Sequence, residues 1–249
     1  MCGRYVLIDG QRIFTTWGAV LTYLSVGEEG FRDLPRYNAA PMDMMPVVAI
    51  RDGKMVVQRM RWWLIPYWSK TPDPVVIEKS GQRQFLRTFN AKSETLESSK
   101  LFSPSFKGSR CLIPADAFYE WKKVGVKKQT AKGAKEVVEK HPFCIRLKNR
   151  KPFMFAGLFS VWKSEKGEEL PTFTIITTEP NELMATIHNR MPVILPEQHF
   201  EKWLDRDNKD VDGLKKLLVA YPADEMEVFR VSPYVSNSKN EGEECLRPD

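Results

Sequence analysis

Met1-Cys2-Gly3-Arg4-Tyr5-Val6-Leu7-Ile8 is the stretch from which the rest of the chain is read. Residues 4–8 carry the β-branched and aromatic side chains of a strand. A strand this near the N-terminus ties Cys2 to the fold instead of leaving it on a loose end. If Met1 is removed, Cys2 carries a thiol and a free α-amine together. An α-amine titrates near ~7.7–8.0, far below lysine at about 10.4, so much of it is neutral and nucleophilic at cellular pH. The adjacent thiol has an ordinary pKa of about 8.5. Such a 1,2-aminothiol attacks an aldehyde through nitrogen to give a Schiff base, and sulfur then closes a five-membered thiazolidine ring. An internal cysteine, its nitrogen held in an amide, cannot do this. An N-terminal Cys also serves as an acyl-transfer nucleophile with the amine as base, and a Cys near a terminus is commonly a small inert hydrophobe. The eight residues alone leave all three readings open.

Working outward, residues 11–25 read as a helix and Tyr37-Asn38-Ala39-Ala40-Pro41 as an irregular stretch. Met45–Ile50 and Lys54–Arg61 read as two strands around the turn Arg51-Asp52-Gly53. Trp62-Trp63-Leu64-Ile65-Pro66-Tyr67-Trp68 is densely aromatic. Trp62 and Trp63 are expected in the core, whereas Trp68, beyond Pro66, is expected at the surface. Ser93 is placed to cap a short helix running through Leu101. Arg110–Pro114 reads as a buried strand and Ala117–Trp121 as a second. The lysine-rich run 122–140 reads as a solvated hairpin loop or a phosphate-contacting arm. Further strands are expected at Phe143–Leu147, Phe153–Trp162, Phe173–Thr178, Met191–Leu195 and Glu227–Val231. Gly157 marks a bulge or a close-packing point. Short helices are expected at Asn181–Ile187, Glu197–Leu204 and Asp210–Leu218, and a mobile polar tail from Ser236.

Strands and helices interleave without a βαβ period, and there is no GxGxxG motif or P-loop. The class this implies is α+β, a single domain with a mixed, largely antiparallel, barrel-like sheet flanked by short helices. The chain has 249 residues, 42% hydrophobic and 28% charged, in the range of ordinary globular proteins. A formal net charge of +6 favours an anionic partner, nucleic acid above all. Cys2, Cys111, Cys144 and Cys245 are scattered without metal-type spacing, which points away from disulfides and zinc and towards a reducing cytoplasm. No signal peptide and no membrane-length apolar run is read.

Five segments in order carry a resemblance: Met1–Tyr5, Tyr37–Pro41, Phe89-Asn90-Ala91-Lys92-Ser93-Glu94, Arg110–Pro114 through Phe118-Tyr119-Glu120-Trp121, and Ile187-His188-Asn189-Arg190-Met191-Pro192. Together they resemble the SRAP (SOS-response-associated peptidase) family of abasic-site-processing proteins, over residues 1–235. The resemblance implies covalent attachment of the N-terminal Cys to the ring-opened aldehyde of an abasic site in single-stranded DNA. The thiazolidine crosslink would shield the lesion during the DNA damage (SOS) response, with autoprocessing peptidase and AP-lyase activities besides. Residue by residue, it makes Cys2 the nucleophile. Asn90 would hold the site, Glu120 would lie beside the Cys, and His188 near the lesion sugar. Arg4 and Trp68 fall where the family contacts DNA. At 92 the family commonly has arginine, and Lys92 lacks its bidentate fork. Arg4, Lys92 and Arg190 are the candidate phosphate contacts, and Trp68 the candidate stacking platform.

The bland counterparts stay beside these roles: a surface Glu between aromatics, a structural His, an Asn that forms a turn. His141 and His199 are expected to be idle. No metal or cofactor is called for. The implied protein is a monomer without a membrane partner, cytoplasmic and, in a bacterium, nucleoid-associated. The competing readings are a cysteine peptidase acting on peptides and a non-covalent single-strand-binding module.

Overall fold

The computed structural model describes residues 2–10, 12–13, 25–26, 30–73, 76–79, 82–130 and 133–249. The helix expected over 11–25 lies for the most part outside them. In chain order the strands are β1 (Tyr5–Leu7), β2 (Ser25–Val26), β3 (Arg36–Ala39), β4 (Met44–Arg51), β5 (Lys54–Trp62), β6 (Val76–Lys79), β7 (Gln82–Phe85) and β8 (Asn90–Lys92). Then come β9 (Arg110–Ala115), β10 (Ala117–Thr130), β11 (Gly133–Leu147), β12 (Phe153–Lys163), β13 (Glu169–Thr178), β14 (Met191–Pro192), β15 (Ile194–Leu195) and β16 (Met226–Arg230). Short helices lie at Ser103–Gly108, Glu182–Ala185, Phe200–Leu204 and Val211–Lys215.

β5, β4, β9, β12 and β13 pair in that order, and β13 returns to pair in parallel with β5 through Thr172–Arg61 and Phe173–Trp62. The sheet therefore closes into a five-stranded barrel, which leaves those strands no open edge. Its strands are the apolar runs read from the sequence: Arg110–Ala115 is buried throughout, as is Phe153–Ser160. Gly157 fits the close-packing reading. A Cβ there would lie 2.8 Å from the Thr174 carbonyl oxygen and closer still to the Ile113 side chain. The fold class is thus the expected α+β barrel with short helices.

A second sheet, β16-β11-β10-β1-β3, leans on the barrel. Strand alternation decides how. Tyr5 and Phe118, cross-strand partners, point at the barrel, where each ring meets Phe155 edge-on at 6.0 Å. Val6, Ala117, Tyr119 and Cys144 point the other way into a separate small cluster with Val231, Val235 and Cys245. Trp62, fully buried, stacks on Phe173 at 6.2 Å and donates from Nε1 to the Phe89 carbonyl at 2.8 Å.

Four expectations are corrected. Residues 36–39 are not irregular but form β3, antiparallel to β1. Ser93 does not cap a helix: it begins a 3₁₀ turn, Ser93–Thr95, without a side-chain cap, and the helix comes later, at Ser103–Gly108. The lysine-rich run is no loop; its residues continue β10 and β11 as one long ribbon. The polar tail from Ser236 is not loose. Asn38, fully buried, donates from Nδ2 to the carbonyls of Val235, Asn237 and Asn240 at 3.2, 3.0 and 2.9 Å. Glu241 pairs with Arg36, Cys245 is buried, and Val231 bridges to Pro248. No helix among the described residues is long and apolar enough to cross a membrane.

Candidate DNA-lesion site

Cys2 lies just before β1, and the pairing of β1 with β10 sets what stands beside it. The Tyr119 amide donates to the Arg4 carbonyl at 3.0 Å, and the Cys2 sulfur lies 3.9 Å from the same carbonyl oxygen. Cys2 is fully buried and belongs to the main core cluster. Burial pushes its thiol well above the ordinary cysteine range, and the nearby Glu120 charge pushes it further.

Glu120 is two residues beyond Phe118 and so shares its barrel-facing side. The expectation that a Glu between aromatics would face solvent is therefore wrong here: only 3% of Glu120 is exposed. Burial raises its carboxyl pKa, while positive charge nearby, His188 included, pulls against the rise. The result is a carboxyl biased towards carrying a proton, next to a thiol biased the same way.

His188 is delivered by the helix Glu182–Ala185. Asn181 caps that helix, its Oδ1 accepting from the Met184 amide at 2.8 Å. The His188 amide closes onto the Met184 carbonyl at 2.9 Å. His188 Nδ1 then sits 3.1 Å from the Arg190 amide nitrogen and 3.2 Å from the Arg190 carbonyl oxygen, so the ring is held against its own loop.

Asn90 opens β8, which pairs in parallel with β13, and its Nδ2 donates to the Ile175 carbonyl at 3.4 Å. Its Oδ1 is buried and accepts nothing among the described residues. An acceptor left unmade costs about 1–3 kcal/mol, so this one is held open at a cost.

A cleft of about 680 Å³ opens over this ground. Its lining includes Gly3, Arg4, Glu120 and His188, with Phe89 bringing the chain to the neighbour of Asn90. Arg87, Lys123 and Lys140 line it too, so four permanent cations face one buried carboxyl. Arg4 is braced from behind. Its guanidinium donates to Val235 O at 3.1 Å and Asn38 Oδ1 at 3.4 Å, and lies 5.7 Å from the Trp121 ring centre. Trp121 Nε1 in turn donates to Ser236 Oγ at 3.0 Å, so the C-terminal segment forms a wall of the cleft.

The remaining candidates fall outside that lining. Trp68 is 53% exposed beside exposed Tyr67 in the turn after β5. Lys92 is exposed on β8. Arg190 is committed elsewhere: it holds Glu94 in a two-pronged pair at 2.7 and 3.0 Å and donates to Thr177 O at 2.6 Å. It thereby ties the His188 loop to the segment after Asn90. Sequence reasoning missed Arg87 and Trp121 as lining residues and the buttress Asn38. For Arg87 the signal was its place two residues before Phe89, the same parity in an extended chain. Asn38 left none, since its partners are backbone carbonyls about 200 residues away. No group of His, Cys, Asp or Glu able to hold a metal ion occurs among the described residues.

Comparison with known proteins gives the family. Residues 1–238 match the family model described as SOS response associated peptidase (SRAP). The chain is 37% identical over 246 residues to the abasic site processing protein YoqW of Bacillus subtilis, covering 99% of each. It is 34% identical over 231 residues to the abasic site processing protein HMCES of Gallus gallus, covering 86% of this chain and 66% of that one. A crystal structure from Bacteroides thetaiotaomicron superposes over the whole of both chains with a TM-score of 0.76 at 22% identity, a likeness of fold. By the span of the family match and by these identities, the chain belongs to the SRAP family.

Proposed function

We propose that this protein processes abasic sites in single-stranded DNA by trapping them on Cys2. The observation that carries the reading is the adjacency of a buried Cys2 to Glu120, a buried carboxyl at the base of a cleft lined by Arg4, Arg87, Lys123 and Lys140.

The reaction asks for what these groups offer. An abasic sugar is mostly a closed hemiacetal. Glu120, its pKa raised by burial, gives its proton to the ring oxygen as the C–O bond breaks, the C1′ hydroxyl gives its own proton to water, and C1′ becomes an aldehyde. With Met1 removed, the Cys2 amine adds to C1′, and the carbinolamine loses water to give an imine. The Cys2 S–H then adds across C=N: the C–S bond forms, the proton ends on nitrogen, and the thiazolidine closes. A thiol held protonated suits a route in which nitrogen attacks first. It does not suit an acyl-transfer nucleophile, and nothing in the site favours the peptidase reading. His188, which lines the cleft, shuttles the protons of water loss. The open Oδ1 of Asn90 is an acceptor for the amine or a sugar hydroxyl. Arg4 and Arg87 hold phosphates, Trp68 offers a stacking face to a flanking base, and Lys92 adds a cation beside Asn90. Arg190 serves by fixing the His188 loop through Glu94.

The test mixes Met-free protein with a uracil-containing oligonucleotide treated with uracil glycosylase. A band shift stable to heat and detergent is expected with wild type and absent with Cys2→Ala. Equal behaviour of the two proteins sinks the reading.

A further inference from the structure

The geometry points to the β10–β11 ribbon as a phosphate track for the single strand that runs on from the cleft, an inference that rests on the DNA-processing reading above. The charge is concentrated there. Residues 122–140 hold seven lysines against two glutamates, a net +5 in a chain whose total is +6. The rest of the molecule is nearly neutral, so attraction for a polyanion comes from this one element.

The ribbon is also built outward. β10 meets β1 only at Ala117 and Phe118, and β11 meets β16 only at Phe143–Leu147. Beyond Trp121 and Pro142 the two strands pair only with each other, from Lys122–His141 to Thr130–Gly133. A lone two-stranded ribbon is marginally stable in water, so a long one projecting from the open sheet is not explained by packing.

Register sorts its side chains. Lys123 faces Lys140, Gly125 faces Val138 and Lys127 faces Glu136, and all six are exposed. The alternate positions, Lys122, Val124, Val126, Val137 and Glu139 with His141, are half-buried, and His141 pairs with Glu139 at 3.2 Å. The open face thus begins with the two cleft lysines, Lys123 and Lys140. It runs past the flat Gly125–Val138 step to Lys127, about 13 Å further out at ~3.3 Å per residue. Glu136 is the one carboxylate on that face, and exposed Lys135, the cross-strand partner of Lys128, belongs to the opposite one. Among the described residues Lys123, Lys127, Lys135 and Lys140 have no ion-pair partner. A strand of alternating exposed cations with one flat apolar step suits a sugar–phosphate backbone read without regard to sequence.

The experiment measures non-covalent binding of undamaged single-stranded oligonucleotides against salt, for the full chain and for K127A. For an oligonucleotide of about 20 nucleotides, longer than ordinary single-strand site sizes, the slope of log K against log salt should be shallower in the variant by about 0.7, the worth of one lost phosphate contact. K127R should restore it. With an oligonucleotide of about five nucleotides, filling the cleft alone, the two proteins should coincide, and crosslinking at saturating abasic DNA should be unchanged. Superimposed slopes on the long oligonucleotide overturn the inference. So does an equal loss in K216A, which removes one lysine outside the ribbon and would reduce the effect to net charge. Absence of crosslinking in wild type would instead remove the lesion-trapping reading while leaving the slopes able to judge the ribbon.

Discussion

The barrel and the open sheet share the turn at Asp116 and differ in almost everything else. On the barrel side, β9 is buried at every position from Arg110 to Ala115 and is paired on both edges, by β12 and β4. On the other side, β10 starts in the core at Phe118, passes Glu120 and leaves as a basic ribbon. The barrel gains stability from apolar burial. The open sheet is where burial is used against a group's own preference, raising a carboxyl and a thiol that would ionise more easily in water. The candidate site lies where the second sheet docks on the first, where β10 of the open sheet buries the Glu120 carboxyl.

The sharpest way to test that contrast is Glu120→Gln. If the carboxyl supplies the proton for ring opening, crosslinking to abasic DNA should slow by about 10²–10⁴-fold, the usual worth of a general acid. Stability should move the other way. A folded-state pKa above the unfolded value means that the native protein binds more protons, so stability falls as pH rises from about 4.5 through the folded pKa. The glutamine variant escapes that fall. Its melting temperature should overtake wild type as pH is raised from 4 to 8, and parallel pH profiles would refute the assignment.

Two tryptophans six residues apart give the next contrast. Trp62→Ala removes a buried ring and should cost about 3–5 kcal/mol in urea unfolding. Trp68→Ala should leave stability within about 0.5 kcal/mol yet weaken single-strand binding by about 1–3 kcal/mol if a base stacks there. A stable Trp62→Ala protein would mean that the barrel repacks, and unchanged binding in Trp68→Ala would take the stacking role away. Within the barrel, Gly157→Ala drives a methyl against the Thr174 carbonyl oxygen, backbone that cannot swing aside, and should cost about 1–3 kcal/mol.

What the sequence made legible follows the same division. The barrel strands were readable because they are unbroken apolar runs, as in Phe153-Met154-Phe155-Ala156-Gly157-Leu158-Phe159. The candidate site residues were readable only through spaced motifs, and the fold sets Glu120 near both Cys2 and His188. The outer ribbon hid behind its charge, since the short alternation Val124-Gly125-Val126 is flanked by lysine pairs that read as a polar loop. β3 hid behind Asn38 and Pro41, which locally signal a turn. The C-terminal segment hid most completely. Its order comes from one amide and from ion pairs such as Arg36–Glu241, distant in sequence and invisible to hydropathy.

That last region yields the smallest expected effect on folding and a distinct one on function. Asn38→Ala strips donors from the carbonyls of Val235, Asn237 and Asn240 and an acceptor from Arg4. The unmet carbonyls can turn to water, so unfolding free energy should drop at the low end of about 1–3 kcal/mol. Arg4, now held only by Val235 O and the Trp121 ring, gains freedom at the cleft mouth. DNA affinity should therefore fall several-fold while the crosslinking rate at saturating DNA stays near wild type, because Cys2 and Glu120 are fixed by β1 and β10 and not by the tail. A variant that loses rate but keeps affinity would show that the C-terminal wall reaches the chemistry itself, and would erase the distinction between a sheet that reacts and a segment that merely braces it.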